Sequence, residues 1–179
     1  MKVLKKILLV LASIIVIALI AAIFIKKEYS VEREIVINNP KNSVYHYIKY
    51  LKNQNNYSKW ASMDVNMKKE FKGTDGTVGF VSAWDSDKKD VGKGEQTIKG
   101  MVENESIDYS IHFIKPFDGM ADAYMTVEPE HDNQTKVRWG FVGKMKYPMN
   151  LMLLFMNMDK MIGDDLTTGL KNLKALLDK

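Results

Sequence analysis

The chain has no cysteine. Disulfides, thiol nucleophiles, thiolate-bound zinc or iron–sulfur centres and lipid attachment through cysteine are therefore excluded together. Histidine is scarce, with only His46, His112 and His131. They fall on a first helix, on the polar face of a strand and in a turn, with no H-E-x-x-H spacing. No serine stands in a G-x-S-x-G elbow, so zinc hydrolysis and acyl transfer have no sequence support. The glycines Gly76 and Gly79, or Gly92 and Gly94, precede no helix start, and they read as strand-turn punctuation rather than a phosphate cradle. There is no repeat, no low-complexity linker and, before Glu28, no acidic residue.

What the first 27 residues have instead is a long apolar run. Ile7 to Ile25 is interrupted only by Ser13, with Lys2, Lys5 and Lys6 before it and Lys26 and Lys27 after it. About 19 residues at about 1.5 Å each span the roughly 30 Å hydrocarbon core as a helix, with lysines reaching the headgroups. A cleavable signal peptide is the competing reading. Signal h-regions, however, run to about 7–15 residues before a small-x-small site, whereas Ala21 and Ala22 lead here into Ile23, Phe24, Ile25, Lys26 and Lys27. Residues 1–27 are expected to form a transmembrane anchor. Three lysines and the amino terminus on one side, against two lysines offset by Glu28 on the other, favour an inside N-terminus. The folded part is then extracytoplasmic, in a periplasm or at an outer surface.

The anchor also explains the charge. Of the 26 Lys and Arg, five precede residue 28, which leaves 21 basic residues against all 22 acidic ones, a net of −1 in place of the formal +4. A near-neutral domain without a basic stripe is a poor binder of phosphate backbones, so no nucleic-acid partner is expected. Residues 28–179 match the size of one compact domain with one substantial core.

Tyr29 to Ile37 alternates as a strand, with Arg33 out of pattern on the apolar phase and expected at a bulge or an edge. Asn39 is placed to cap a helix opening at Pro40, in which Val44, Tyr47, Ile48 and Leu51 share a face. A short strand follows at Met67–Lys72. Val78–Trp84, Gly94–Val102, Ser106–Ile114, Ala121–Val127 and Thr135–Val142 then alternate between polar turns, a meander of hairpins. Ile107, Tyr109, Ile111 and Phe113 oppose Asp108, Ser110 and His112, so one sheet face is apolar and needs a cover. From Asp159 onward Ile162, Leu166, Leu170, Leu173 and Leu177 recur at helical spacing. Gly163 and Gly169 let that helix approach closely or leave space beneath it. The expected class is α+β: a helix-grip arrangement, with a curved antiparallel sheet wrapped around one long C-terminal helix.

The order Ile35-Val36-Ile37-Asn38-Asn39-Pro40, Asn56-Tyr57-Ser58-Lys59-Trp60-Ala61, Gly76-Thr77-Val78-Gly79-Phe80 with Trp84, and Val91-Gly92-Lys93-Gly94-Glu95 resembles the SRPBCC superfamily. That superfamily holds the START, polyketide cyclase/dehydrase and birch-pollen-allergen-like helix-grip proteins, and the resemblance is to the single-domain bacterial branch with an N-terminal membrane helix. It implies a hydrophobic cavity between sheet and helix, used for lipids, sterols, polyketides or plant hormones, and it implies no single reaction.

Six of the 12 methionines lie between Met145 and Met161. Met149, Met152 and Met156 share a helical face and read either as packing beside the long helix or as a cavity wall, since thioethers suit irregular apolar ligands. Tyr147 to Met158 also reads as a segment dipping into lipid. Trp60, Phe80, Trp84, Tyr109, Trp139 and Phe141 are the aromatic candidates for a ligand wall, with a filled core as the alternative. The acid pairs Asp85/Asp87 and Asp164/Asp165 read as solvated loop and turn residues. The leading expectation is a membrane-anchored protein that binds a hydrophobic small molecule or lipid, with no cofactor, no metal and no catalytic residue assigned. The alternatives are a cyclase, dehydratase or hydrolase of the same fold, and a tethered interaction or stress-response module with a vestigial cavity.

Overall fold

The computed structural model describes residues 2–178. Helix α1, Lys2–Phe24, is long and apolar enough to cross a bilayer, a property that an anchor and a signal sequence share. Its one interior hydroxyl, Ser13 Oγ, donates to Leu9 O at 2.9 Å and so leaves no unpaired donor on the apolar surface.

Strand β1 (Glu28–Ile37) begins four residues after the helix ends and is followed by α2 (Lys41–Ile48), a 3-10 turn at Leu51–Asn56 and the short α3 (Lys59–Met63). Strands β2 (Lys68–Lys72), β3 (Val81–Asp85), β4 (Lys93–Val102), β5 (Ser106–Lys115), β6 (Gly119–His131) and β7 (Gln134–Lys144) complete one antiparallel sheet. The strand order is β1-β7-β6-β5-β4-β3-β2. A second 3-10 turn, Met149–Leu154, leads into the long α4 (Met158–Leu177). This is the meander and covering helix that alternation and helical spacing predict.

Helix α4 is fastened to the edge strand β1 at both ends. At its start, Asn157 caps the helix by accepting from Lys160 N at 2.9 Å, and Arg33 grips Asp159 through both carboxylate oxygens and the main-chain carbonyl, each at 2.9 Å. Gly163 makes room for the guanidinium, since a Cβ there would collide with it. Arg33 is thus at an edge, as expected, in unbroken register with β7 and with no bulge. It is paired with an acid rather than returned to water. At the other end, Asn39 Nδ2 donates to Leu177 O at 2.8 Å, Asn38 N donates to the Asp178 carboxylate at 2.8 Å, and Lys174 Nζ reaches Val36 O at 2.7 Å.

Asn39 is therefore not a helix cap. Pro40 occupies the cap position of α2, and no side chain bonds there. Asn39 is buried instead, holding the end of α4 and accepting at its main-chain oxygen from Thr135 Oγ1 at 2.7 Å. The expected strand Val78–Trp84 starts later, at Val81, because Gly79 takes φ +90°. Gly79 N and Phe80 O still bond Ile98. Asp164 and Asp165 lie within α4 rather than in a turn before it, and partial burial raises the Asp165 carboxyl despite Lys59 nearby.

The Arg33 hydrogen bonds and charge hold Asp159 below the usual carboxylate range. A depressed folded pKa adds stability above the unfolded value, and that stability is lost as pH falls through the folded value. Melting temperature plotted against pH should therefore fall more steeply on the acid side for the wild type than for Asp159→Asn. The two curves should converge in acid, and parallel curves would show that the pair contributes nothing.

Candidate functional site

The apolar sheet face divides into two halves along the strands. In the half far from α1, Ile98, Ile107, Tyr109, Met125, Val127 and Val137 form a solid core with α2 and with Leu170 and Leu173 of α4. In the half near α1 the same face continues with Ile111, Phe113, Ala121, Ala123 and Phe141, and here it is not filled. A cavity of about 1090 Å³ lies between it, the first turns of α4 at Ile162 and Leu166, and the methionines after β7.

The space arises from small side chains. Ala121 and Ala123 face inward on β6 beside Phe141 of β7, at positions whose counterparts farther along β6 are Met125 and Val127. Helix α4 does not close the gap, because Leu166 projects at its wall while Gly169 sits against Trp139, where a Cβ would stand 2.7 Å from the indole. Trp139, 4 % exposed, closes the inner end of the cavity. It meets Tyr57 edge-on at 5.7 Å between ring centroids and Trp60 edge-on at 6.0 Å. A second aromatic chain runs along the sheet side: Trp84 edge-on to Phe113 at 6.2 Å, Phe113 to Phe141 at 6.5 Å, and Phe141 stacked on Tyr29 at 6.2 Å.

Of the residues expected to form a ligand wall, Trp60, Trp84, Trp139, Phe141, Met149, Met152 and Met156 come together in this lining. Phe80 and Tyr109 do not line it. Phe80 is buried on the β2–β3 side, stacked on Phe71 at 6.1 Å under the ammonium of Lys52. Tyr109 lies in the solid half, where burial drives its hydroxyl pKa far up. Ile111 and Phe113 were legible from strand alternation. The alanines were not, because what they contribute is the lack of a side chain.

The neutral polar groups that reach the wall are Gln54, Asn55, Ser58, Ser82 and Gln96, and Gln54 Nε2 is buried without a partner; the lysines of the lining, among them Lys89, Lys115 and Lys146, come from its rim. Among the described residues the acids in the lining are Asp90 and Asp118, in exposed loops, and Asp118 holds His112 at 2.8 Å. No group of three His, Asp or Glu placed to hold a metal occurs among the described residues.

The cavity lies beside the exit of α1. Asn150, fully buried, donates from Nδ2 to Ala22 O at 2.7 Å and to Ile25 O at 3.0 Å, and Met145 N donates to Lys27 O at 2.8 Å. The carbonyls that a helix end leaves unpaired are thus taken up by the segment that forms the cavity wall. Asn150→Ala should leave both carbonyls unsatisfied and speed amide exchange locally at residues 24–29 by about tenfold, equivalent to one or two lost hydrogen bonds. Unchanged exchange there would mean that the cap does not hold.

No protein-family profile matches the chain, and no curated protein matches it. Solved structures do. A protein from Nitrosospira multiformis is 18 % identical with a TM-score of 0.58, over 84 % of this chain and 97 % of that one. Ara h 8.0201 is 12 % identical with a TM-score of 0.56, over 84 % and 97 %. The fold is a Bet v1-like helix grip. Major latex-like protein 151 from Panax ginseng shares this helix grip at 12 % identity and a TM-score of 0.57, over 86 % of this chain and all of that one. At such identities the likeness carries the fold and leaves function to the site.

Proposed function

We propose that the chain is a membrane-anchored binding protein that holds a hydrophobic small molecule or lipid in the cavity between its sheet and α4, as a member of the bacterial, membrane-helix branch of the SRPBCC superfamily. The observation that carries this reading is the unfilled half of the sheet face: a volume of about 1090 Å³ walled by aromatic rings and thioethers, in a fold whose other half is solid. An apolar ligand gains about 25 cal/mol for each Å² it removes from water, and a lining of that size accommodates one to two acyl chains or a polycyclic ring system. The acids that reach the lining, Asp90 and Asp118, sit in exposed loops, which favours binding over a cyclase or hydrolase, since those need acids, bases or oxyanion donors converging on a reacting atom.

The Asn150 cap supports retention of α1 as an anchor, because cleavage after Ala22 would remove the Ala22 carbonyl, the shorter of the two bonds this buried amide makes. The lysine distribution around α1 favours an extracytoplasmic domain.

The test is native mass spectrometry of the full chain in detergent, followed by delipidation and titration with cis-parinaric acid, which takes up energy from nearby tryptophan. A stoichiometric small-molecule adduct and saturable energy transfer from Trp60, Trp84 and Trp139 are expected. A bare chain with no saturable uptake would overturn the reading.

A further inference from the structure

The register of the sheet puts one set of turns beside α1. Glu28, the first residue of β1, pairs with Lys144, and the pairing then runs through Ala121 with Gly143, Phe113 with Gly119, Lys93 with Lys115 and Asp85 with Lys93 to Lys68. The β3–β4 loop, the β5–β6 loop and the segment between β7 and α4 therefore all stand at the end from which α1 leaves.

Two of those loops expose large apolar side chains. Phe155 is 87 % exposed and Phe117 78 %, with Leu154, Met149 and Met120 also exposed. The opposite end is made of Asn38-Asn39-Pro40, Glu103-Asn104-Glu105, Asp132-Asn133 and the last turn of α4, where Val78, Val102 and Leu176 are exposed singly on separate elements. A collar of clustered apolar side chains that includes two largely exposed phenylalanines is a surface built for a non-aqueous partner, whereas scattered single ones are ordinary. Phe117, Met120 and Met149 are both exposed and part of the cavity lining, so the cavity mouth opens inside the collar. Around it stand Lys89, Lys115 and Lys146, none of which forms a salt bridge among the described residues, together with Lys26 and Lys27 at the end of α1. Lysines behind an apolar rim reach the phosphate layer while the rim lies among acyl chains.

We propose that this end of the domain is seated in the leaflet from which α1 emerges, and that the cavity is loaded laterally, apolar end first, from that leaflet rather than from water. The inference rests on the binding reading above and on α1 as an anchor. Geometry enforces it: only three residues separate Phe24 from β1, and the Asn150 cap fixes the helix end against the collar. The occupant is then a lipid or lipid-soluble compound already resident in the bilayer, and Lys26, Lys27, Lys89, Lys115 and Lys146, which outnumber the acids Asp90 and Asp118 of the lining, favour one with an anionic head at the mouth.

The cysteine-free chain allows single labelling without background. Full-length Phe155→Cys, Phe117→Cys and Asp132→Cys, each carrying an environment-sensitive nitrobenzoxadiazole dye, are placed in nanodiscs of phosphatidylcholine and phosphatidylglycerol. The dye at 155 and 117 should be quenched by lipids spin-labelled just below the headgroup and protected from aqueous iodide, with the reverse at 132. Iodide quenching at 155 and 117 equal to that at 132 overturns the seating. In a second arm, Leu154→Asp combined with Phe155→Asp changes no side chain of the cavity wall. It should slow transfer of cis-parinaric acid from the nanodisc bilayer by about tenfold while leaving uptake from detergent micelles unchanged. Transfer at the wild-type rate overturns lateral loading. Absence of micellar uptake by the wild type instead overturns the binding reading itself.

Discussion

Trp139→Ala is expected to lower the unfolding free energy of the domain by about 3–5 kcal/mol, the range for removing a large buried aromatic. The indole is 4 % exposed and is the meeting point of three elements. Tyr57 and Trp60 contact it edge-on, and Gly169 of α4 lies directly on its ring. Edge-to-face pairs add about 0.5–1.5 kcal/mol each beyond area burial, so the loss has two sources besides the transfer term. The neighbours cannot collapse inward to compensate, because the residue borders a cavity on one side and a helix backbone pinned at both ends on the other. Urea unfolding of the full chain in detergent, followed by far-ultraviolet circular dichroism, should show a lower midpoint at unchanged slope. Trp139→Phe, which keeps a ring against Gly169, should lose less than half as much. A midpoint shift no larger than that of a surface substitution would mean that Trp139 is not the wedge between helix and sheet that its contacts describe.

The same residue shows how far the sequence could be read. Its place on the apolar face follows from the alternation of Val137, Trp139 and Phe141 with Lys136 and Arg138, and Gly169 was expected to allow close approach of the helix. The pairing of the two was not legible, because a one-dimensional pattern assigns faces and does not say which side chain meets which. The helix-grip architecture was readable since each element carries its own periodicity: two along the strands, three to four along α4. What failed were local polar choices. Asn39 has the chemistry of a cap and the position of one, yet its amide is used 138 residues away at Leu177, where leaving the last carbonyl of α4 unpaired beside the core would cost more than an uncapped α2 exposed to water. Arg33 was recognisable as an anomaly and Gly163 as a point of close approach, but no local signal reports that the two meet or that Asp159 is the acid Arg33 pairs with. Within the candidate site, the aromatic and methionine wall was visible as residue types. Phe80 and Tyr109 belong to the same types and face, and they fall in the solid half because strand register, rather than composition, decides which end of the sheet is filled.

Ala123→Trp is expected to weaken binding of cis-parinaric acid by roughly 100-fold, because an indole at this position displaces about three to four methylenes of ligand at about 0.8 kcal/mol each. Ala123 is buried on β6 between Tyr109 and Phe141 and faces the cavity, and its small side chain is one reason the space exists. The informative part of the prediction is the sign of the accompanying stability change. Inserting a large side chain into a packed core costs about 1–3 kcal/mol through strained rotamers and backbone shifts. Inserting it into an existing void adds apolar burial without displacing protein atoms, so unfolding free energy should hold or rise even as binding is lost. Ile107→Trp, on the same sheet face two register positions farther from α1, supplies the contrast. There the core is solid, and the substitution should destabilise the domain while leaving the cavity walls in place. Loss of binding with gained or unchanged stability at 123, set against lost stability at 107, follows only if the sheet face is filled in one half and empty in the other. Equal destabilisation at both positions would mean that the space beside Ala123 is occupied by the protein itself, and a protein without that space has nowhere to hold a ligand.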